Sequence, residues 1–261
     1  MGRKLLFFDI DGTLWDFDNV IPGSTVEAIR EAQANGHLCF INSGRSRCFI
    51  RHPALFAVGF DGIVSGCGTM IEYRDEVVLY HTLPVDYVEW VLEVVRKHSF
   101  RPILEGRYHL YFDDEDFKDD KFGAKIIEEL GDDRLTIADH WGQWEISKLS
   151  CATKPWAHEA CQKELGDDFD FMIHESTIVE MAPKGFSKAS GIERLCEILA
   201  VDIADTVCFG DSVNDLSMLQ AAGTAVVMGN GMDEVKKIAD FVTKDLHDEG
   251  IPYAMKELKL I

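Results

Sequence analysis

The apolar run Leu5-Leu6-Phe7-Phe8 breaks off at Asp9-Ile10-Asp11-Gly12-Thr13, and this abrupt change most constrains the fold. A short continuous apolar run closed by turn residues reads as a buried strand. In extended backbone, residues i and i+2 share a face, so Asp9 and Asp11 project together while Ile10 turns back to the core. Gly12 lets the chain turn tightly and brings backbone N–H groups near whatever the carboxylates hold. Two close carboxylates repel one another, and a divalent cation or a proton between them relieves the repulsion. The same residues also suit a strand-end turn with solvated aspartates.

The next residues place this strand in a parallel sheet. Ser24 followed by Glu27 forms a capping-box pattern, and the helix it opens is expected to run to Asn35, where Gly36 stops it. A second apolar strand, Leu38 to Asn42, follows at once. Strand, helix and strand with short links predict a right-handed βαβ unit. Ser43-Gly44-Arg45 lies just past the second strand, so Asp9, Asp11 and Ser43 can converge at the carboxyl ends of neighbouring strands. Phe60 to Ser65 and the hairpin Met70–Tyr73 and Val77–Tyr80 extend the sheet.

From about Pro84 the texture changes. Val88, Val91, Leu92 and Val95 recur at helical spacing within a helix from Asp86 to His98. Strands are expected near Pro102–Leu104, Arg107–Tyr111, Trp144–Ala152, Phe169–His174 and Ile178–Met181, with helices at 124–130 and 156–165. The acidic run Asp113 to Asp120 reads as a solvated loop. Residues 84–183 therefore form an inserted α+β block, and residues 1–83 and 184–261 form one α/β domain. The later segment supplies helix 188–199, strand 206–210, helix 215–222 and strand 225–228.

Within it, Val207-Cys208-Phe209-Gly210-Asp211-Ser212-Val213-Asn214-Asp215 repeats the opening device of an apolar strand ending in glycine and carboxylates. If the two strands are neighbours, Asp211 or Asp215 faces Asp9 and Asp11 and completes an oxygen-rich cage suited to Mg2+. Asp215 equally suits a first-turn acid complementing a helix dipole. Lys188 opens a helix at the positive end of its dipole, and an anion there explains it. Lys184 reads as a surface residue, and Gly229-Asn230-Gly231 as a turn.

A net charge of −20 argues against a nucleic acid or an anionic membrane surface as partner, and it obliges any phosphate site to supply local cations. Seven cysteines without a C-x-x-C pair favour buried thiols in a reducing cytoplasm over a disulfide framework. The apolar run after Arg3 and Lys4 is cut too soon by Asp9 for a signal peptide or membrane span. The expected location is therefore cytoplasmic.

The ordered set Asp9-Ile10-Asp11-Gly12-Thr13, Ser43-Gly44-Arg45, Lys188 and Gly210-Asp211-Ser212-Val213-Asn214-Asp215 resembles the four motifs of the haloacid dehalogenase-like superfamily. The inserted block, with Gly229-Asn230-Gly231 and Asp248-Glu249-Gly250-Ile251 in the tail, is similar to its Cof-type phosphatases. The resemblance implies a Rossmann-like parallel-sheet core carrying an inserted α+β cap domain. It further implies a Mg2+-dependent phosphatase acting on small phosphomonoesters, sugar phosphates first among them, through an aspartyl-phosphate. On that likeness Asp9 is the nucleophile and Asp11 the general acid and base. Asp9, the Asp11 carbonyl and Asp211 hold the metal, and Asp215 supports it. Gly12, Ser43, Gly44, Lys188 and Asn214 bind phosphate or substrate. A phosphomutase or phosphotransferase, or a non-catalytic phosphate-ligand binder, are the competing readings.

Two positions depart from the family pattern. Asn42 stands where a threonine usually precedes the second motif, and Cys67 stands where relatives often carry asparagine. Among the cap residues, Trp90, Tyr108, Tyr111, Phe112, Trp141 and Trp144 are expected to form core, and Arg101, Arg107 and His109 are polar candidates.

Overall fold

The computed structural model describes residues 2–117, 126–127, 130–174 and 177–261; the expected helix at 124–130 and the end of the acidic run lie largely outside them. The chain divides into two compact units, Met1–Gly44, Arg51–Leu79 and Phe186–Ile261 in one, and Arg45–Ile50 and Tyr80–Gly185 in the other.

The first unit opens with β1 (Leu5–Phe8), α1 (Gly23–Ala34), β2 (Leu38–Asn42), α2 (Pro53–Val58) and β3 (Gly62–Ser65), whose three strands run parallel. β4 (Met70–Tyr73) folds back on β3, and β5 (Glu76–Tyr80) forms the sheet edge. The second unit contributes α3 (Val85–Lys97), β6 (Arg101–Glu105), β7 (Leu110–Tyr111), α4 (Asp114–Phe117), β8 (Arg134–Leu135), β9 (Lys148–Ala152), α5 (His158–Leu165), β10 (Phe169–His174) and β11 (Ile178–Pro183). The chain returns to the first unit through α6 (Lys188–Leu199), β12 (Thr206–Gly210), α7 (Leu216–Ala221), β13 (Thr224–Val227), α8 (Asp233–Lys236), β14 (Phe241–Val242) and α9 (Gly250–Glu257).

The first unit's sheet has the order β14-β13-β12-β1-β2-β3-β4-β5. β1 therefore lies between β2 and β12, both parallel to it, and the winding reverses there. In open α/β sheets the crevice outside the carboxyl ends of the strands at such a reversal is where ligands bind. Every residue of β1 is buried, because the strand is covered on both faces. Phe7 stacks on Phe40 (ring centroids 5.3 Å apart) in a cluster with Ile192 and Leu195 of α6 and Met218 of α7. Phe8, pointing the other way, stacks on Phe209 at 4.7 Å.

In the second unit, the sheet order is β10-β11-β9-β6-β7-β8. Leu104, Leu149, Cys151, Val179 and Met181 share a core with Val88, Val91, Leu92 and Val95 of α3 and with Cys161 and Leu165 of α5. The alternate residues Ile103 and Ala152 belong to a second cluster with Phe112 and Phe117, as period-two alternation requires. The buried Lys148 pairs with Glu180 and, at 3.5 Å, with Glu105.

Several expected elements shift. Ser24 does not cap α1: Pro22 is the N-cap, its carbonyl already accepts from Thr25 and Val26, and Ser24 falls inside the first turn. β7 is only Leu110–Tyr111, and β9 begins at Lys148 because the Ile146 carbonyl accepts from Leu83 outside the ladder. The acidic run is no plain loop, since Asp114–Phe117 forms a helical turn and Asp113 and Asp114 pair with Arg96 and Arg134. Tyr111, Phe112 and Trp144 are core as expected, whereas Trp90, Tyr108 and Trp141 are exposed.

Phe209 is fully buried on β12, so Phe209→Ala should cost about 3–5 kcal/mol, the usual penalty for emptying an aromatic site. Urea unfolding followed by circular dichroism checks this, and a loss below about 1 kcal/mol would contradict the packing described.

Candidate active site

Asp9 follows β1, and its N–H donates to the Phe209 carbonyl at 3.0 Å, so the sheet ladder runs up to the acid. Asp211 follows β12, Ser43 follows β2, and Lys188 opens α6. The start of α6 is fixed by a reciprocal cap between Ser187 and Ser190, and the buried Asn42 amide donates to the Lys188 carbonyl at 3.1 Å. These constraints aim the Lys188 side chain inward. Its ammonium lies 2.6 Å from Asp9 Oδ1 and 2.6 Å from Asp215 Oδ1, and all three residues are almost fully buried. Asp215 also has a capping role, because its Oδ2 accepts from the N–H groups of Asp211 (2.9 Å) and Ser212 (3.2 Å).

Carboxylate oxygens of Asp9, Asp211 and Asp215 lie within 4.8 Å of one another. Three acids face one ammonium, which leaves two negative charges in a low-dielectric site. Burial first, and then Asp215, push Asp9 well above the usual carboxylate range, against the pull of Lys188. Burial and Asp215 likewise raise Asp211, from an ordinary 3.8 to about 7. Burial alone would depress the Lys188 ammonium, but Asp215 and Asp9 more than offset it and raise it. Hard oxygen donors with two uncompensated charges fit a divalent cation of the Mg2+ type.

The turn after Asp9 is tightly shaped. The N–H groups of Leu14 and Trp15 converge on the Ile10 carbonyl at 3.0 and 3.2 Å, and Gly12 sits at φ +85°. A Cβ on Gly12 would lie 2.4 Å from Asp211 Oδ2, so glycine is needed both for its backbone angle and for the close approach. Thr13 Oγ1 donates to Asp211 Oδ1 at 3.1 Å.

The structure does not gather all the expected residues into the acid group. Asp11 is exposed, and its Oδ1 accepts from the Trp15 indole at 3.1 Å. Ser43 is buried, its N–H donating to Val64 and its carbonyl accepting from Cys67, while Gly44 is half-buried. Asn214 is turned to Ser212, whose hydroxyl donates to its Oδ1. Asn230 lies in the expected turn but does more, since its amide donates to the Gly12 carbonyl at 2.8 Å and its Oδ1 accepts from Leu246 at 2.9 Å. Cys67 sits at φ +56°, a backbone conformation that asparagine adopts more readily than most residues. Sequence reasoning assigns no contact to Thr13, which ends the first motif, or to Asn42, which precedes the second, and Trp15 carries no sequence signal.

The profile of the haloacid dehalogenase-like hydrolases matches residues 6–255. The chain belongs to that family. Within it, the hydrolase is 35% identical over 280 residues to the Bacillus subtilis protein named "Putative phosphatase YkrA", with all of both chains covered. It is 28% identical to the HMP-PP phosphatase of Yersinia enterocolitica, covering 90% of this chain and 86% of that one. A solved structure described as the subclass IIB sugar phosphatase BT4131 superimposes with a TM-score of 0.82 at 25% identity, covering 99% and 100% of the two chains. The chain is thus a hydrolase of the haloacid dehalogenase-like type whose relatives are named as phosphatases. No helix among its described residues is long and apolar enough to cross a membrane.

A pH dependence follows from Asp211. Its folded-state pKa lies above its unfolded value, so Asp211 binds more proton in the metal-free fold than in the unfolded chain between pH about 4 and about 7. Stability of the chelator-treated hydrolase should therefore fall as pH rises through that window, and a divalent cation should reverse the trend by replacing the proton. Thermal melts at pH 5, 6 and 7.5 with and without Mg2+ check this; metal-free stability that rises across the window would contradict it.

Proposed function

We propose that the hydrolase is a Mg2+-dependent phosphatase acting on small phosphomonoesters, sugar phosphates first among them, through an aspartyl-phosphate on Asp9. The observation that carries the reading is the buried Lys188 ammonium held 2.6 Å from Asp9 at the switch point of the sheet, among three converging acids. Lys188 binds one oxygen of Asp9, which fixes the carboxylate's rotation and leaves the other oxygen to attack phosphorus. The same ammonium draws in the phosphoryl oxygens, and its raised pKa keeps it charged throughout the working range.

Asp9, Asp211 and the Asp11 carbonyl would hold Mg2+, with Asp215 orienting Asp211 from behind. When bound, the ion offsets the repulsion between an anionic nucleophile and an anionic phosphate. The Ser43 hydroxyl and the Gly44 and Gly12 backbone would cradle the phosphoryl oxygens, and Asn214 would orient the substrate. Asp11, exposed at the mouth of the turn, protonates the departing alcohol and then takes the proton of the water that cleaves the acyl phosphate. The net charge of −20 repels anions at long range, so affinity must come from these local groups. The sugar phosphatase and HMP-PP phosphatase among the relatives support soluble phosphorylated metabolites as the substrate class.

The test is a panel of phosphorylated metabolites assayed for phosphate release with Mg2+ and with chelator. Turnover should vanish with chelator, and Asp9→Asn should lower kcat on the order of 10^4-fold or more, as loss of a nucleophile does. Turnover surviving either change would overturn the mechanism.

A further inference from the structure

Trp15 is a large aromatic residue almost fully buried, four residues after the exposed Asp11. It is held by its own turn: its carbonyl accepts from Gly12 at 2.7 Å, its N–H donates to Ile10, and its ring meets His52 edge-on at 5.1 Å. A bridge pairs it with Asp11, and from this fixed position its indole N–H donates to Asp11 Oδ1 at 3.1 Å. An indole N–H can only donate, never accept. The oxygen it holds cannot point a proton at it, which favours Oδ2 as the oxygen that carries the proton of Asp11. The indole N–H holds one of the carboxylate's two oxygens in place before substrate arrives.

We propose that Trp15 is the positioning residue of the acid–base carboxylate, holding Asp11 Oδ1 so that Oδ2 exchanges the proton with the leaving group. The proposal rests on the reading of Asp11 as general acid and base. In the first half-reaction, an Asp9 oxygen bonds to phosphorus and the ester P–O bond breaks. The electron pair goes to the departing oxygen, which takes the proton from Asp11 Oδ2. In the second, a water oxygen bonds to phosphorus, its proton passes to Asp11 Oδ2, and the acyl-phosphate P–O bond breaks to restore the Asp9 carboxylate and release inorganic phosphate.

The experiment measures kcat/KM, which reports the first half-reaction, for p-nitrophenyl phosphate and for an alkyl sugar phosphate turned over by the wild-type enzyme. p-Nitrophenolate leaves without a proton, whereas an alkoxide does not. Trp15→Phe keeps a ring against His52 and removes the donor. With the alkyl phosphate, kcat/KM should fall about 10- to 100-fold, through kcat rather than KM, a part of the 10²–10⁴ that general acid catalysis supplies. With p-nitrophenyl phosphate it should change less than about threefold. Should Trp15→Phe melt before assay, benzothienylalanine at position 15 keeps the shape of the indole without its N–H and should give the same split. Equal losses on both substrates, or none, would overturn the proposal. Asp11→Asn is the control that separates the two claims. If it shows the leaving-group split and Trp15→Phe does not, the positioning role alone falls; if it shows no split, the acid–base reading falls and takes the proposal with it.

Discussion

The ammonium of Lys188 between Asp9 and Asp215 is the interaction on which the rest of the site depends. It joins residues 179 and 27 positions apart, at a depth where an unpaired charge costs several kcal/mol. Breaking either pair would leave a buried carboxylate uncompensated, and the supporting contacts are arranged to prevent that. Ser187 and Ser190 fix where α6 begins, Asn42 holds the Lys188 carbonyl, and Asp215 is locked by the N–H groups of Asp211 and Ser212. A helix N-terminus is a poor place for a lysine unless anions meet it, and here two carboxylates do.

That arrangement needs the sheet to put β1 beside β12, although almost two hundred residues separate them in the chain. The buried aromatic stack of Phe8 on Phe209 holds the two strands in register, and their carboxyl ends then deliver Asp9 and Asp211 to the same crevice. Gly12 lets the turn after Asp9 lie against Asp211, and Asn230 ties the same turn to the loop at Leu246. The excess of acids over the lysine is what a divalent cation would offset: with protons alone, burial pushes Asp9 and Asp211 toward protonation.

The parallel core was legible because its signals are local and repeated. Apolar runs that stop at Asp9, Asn42 and Gly210 mark strand ends, and strand ends are where an α/β sheet keeps its chemistry. The acid group was legible for the same reason, except that its one cation had to be inferred from an electrostatic misfit at Lys188. What escaped was tertiary. Ser24 looked like a cap but lost the position to Pro22, whose ring already fixes the entry angle. Trp15, Asn42 and Asn230 act through hydrogen bonds that only the closed turn and the assembled sheet bring within reach, and no spacing rule names them. Trp90 and Trp141 looked like core on composition alone, yet they are exposed.

The central claim is that Asp9 bonds to phosphorus. Borohydride reduces an acyl phosphate to an alcohol, so the hydrolase quenched during turnover, reduced and digested should yield a peptide in which Asp9 alone has become homoserine. Homoserine at Asp11, or no reduced residue while phosphate is being released, would contradict it.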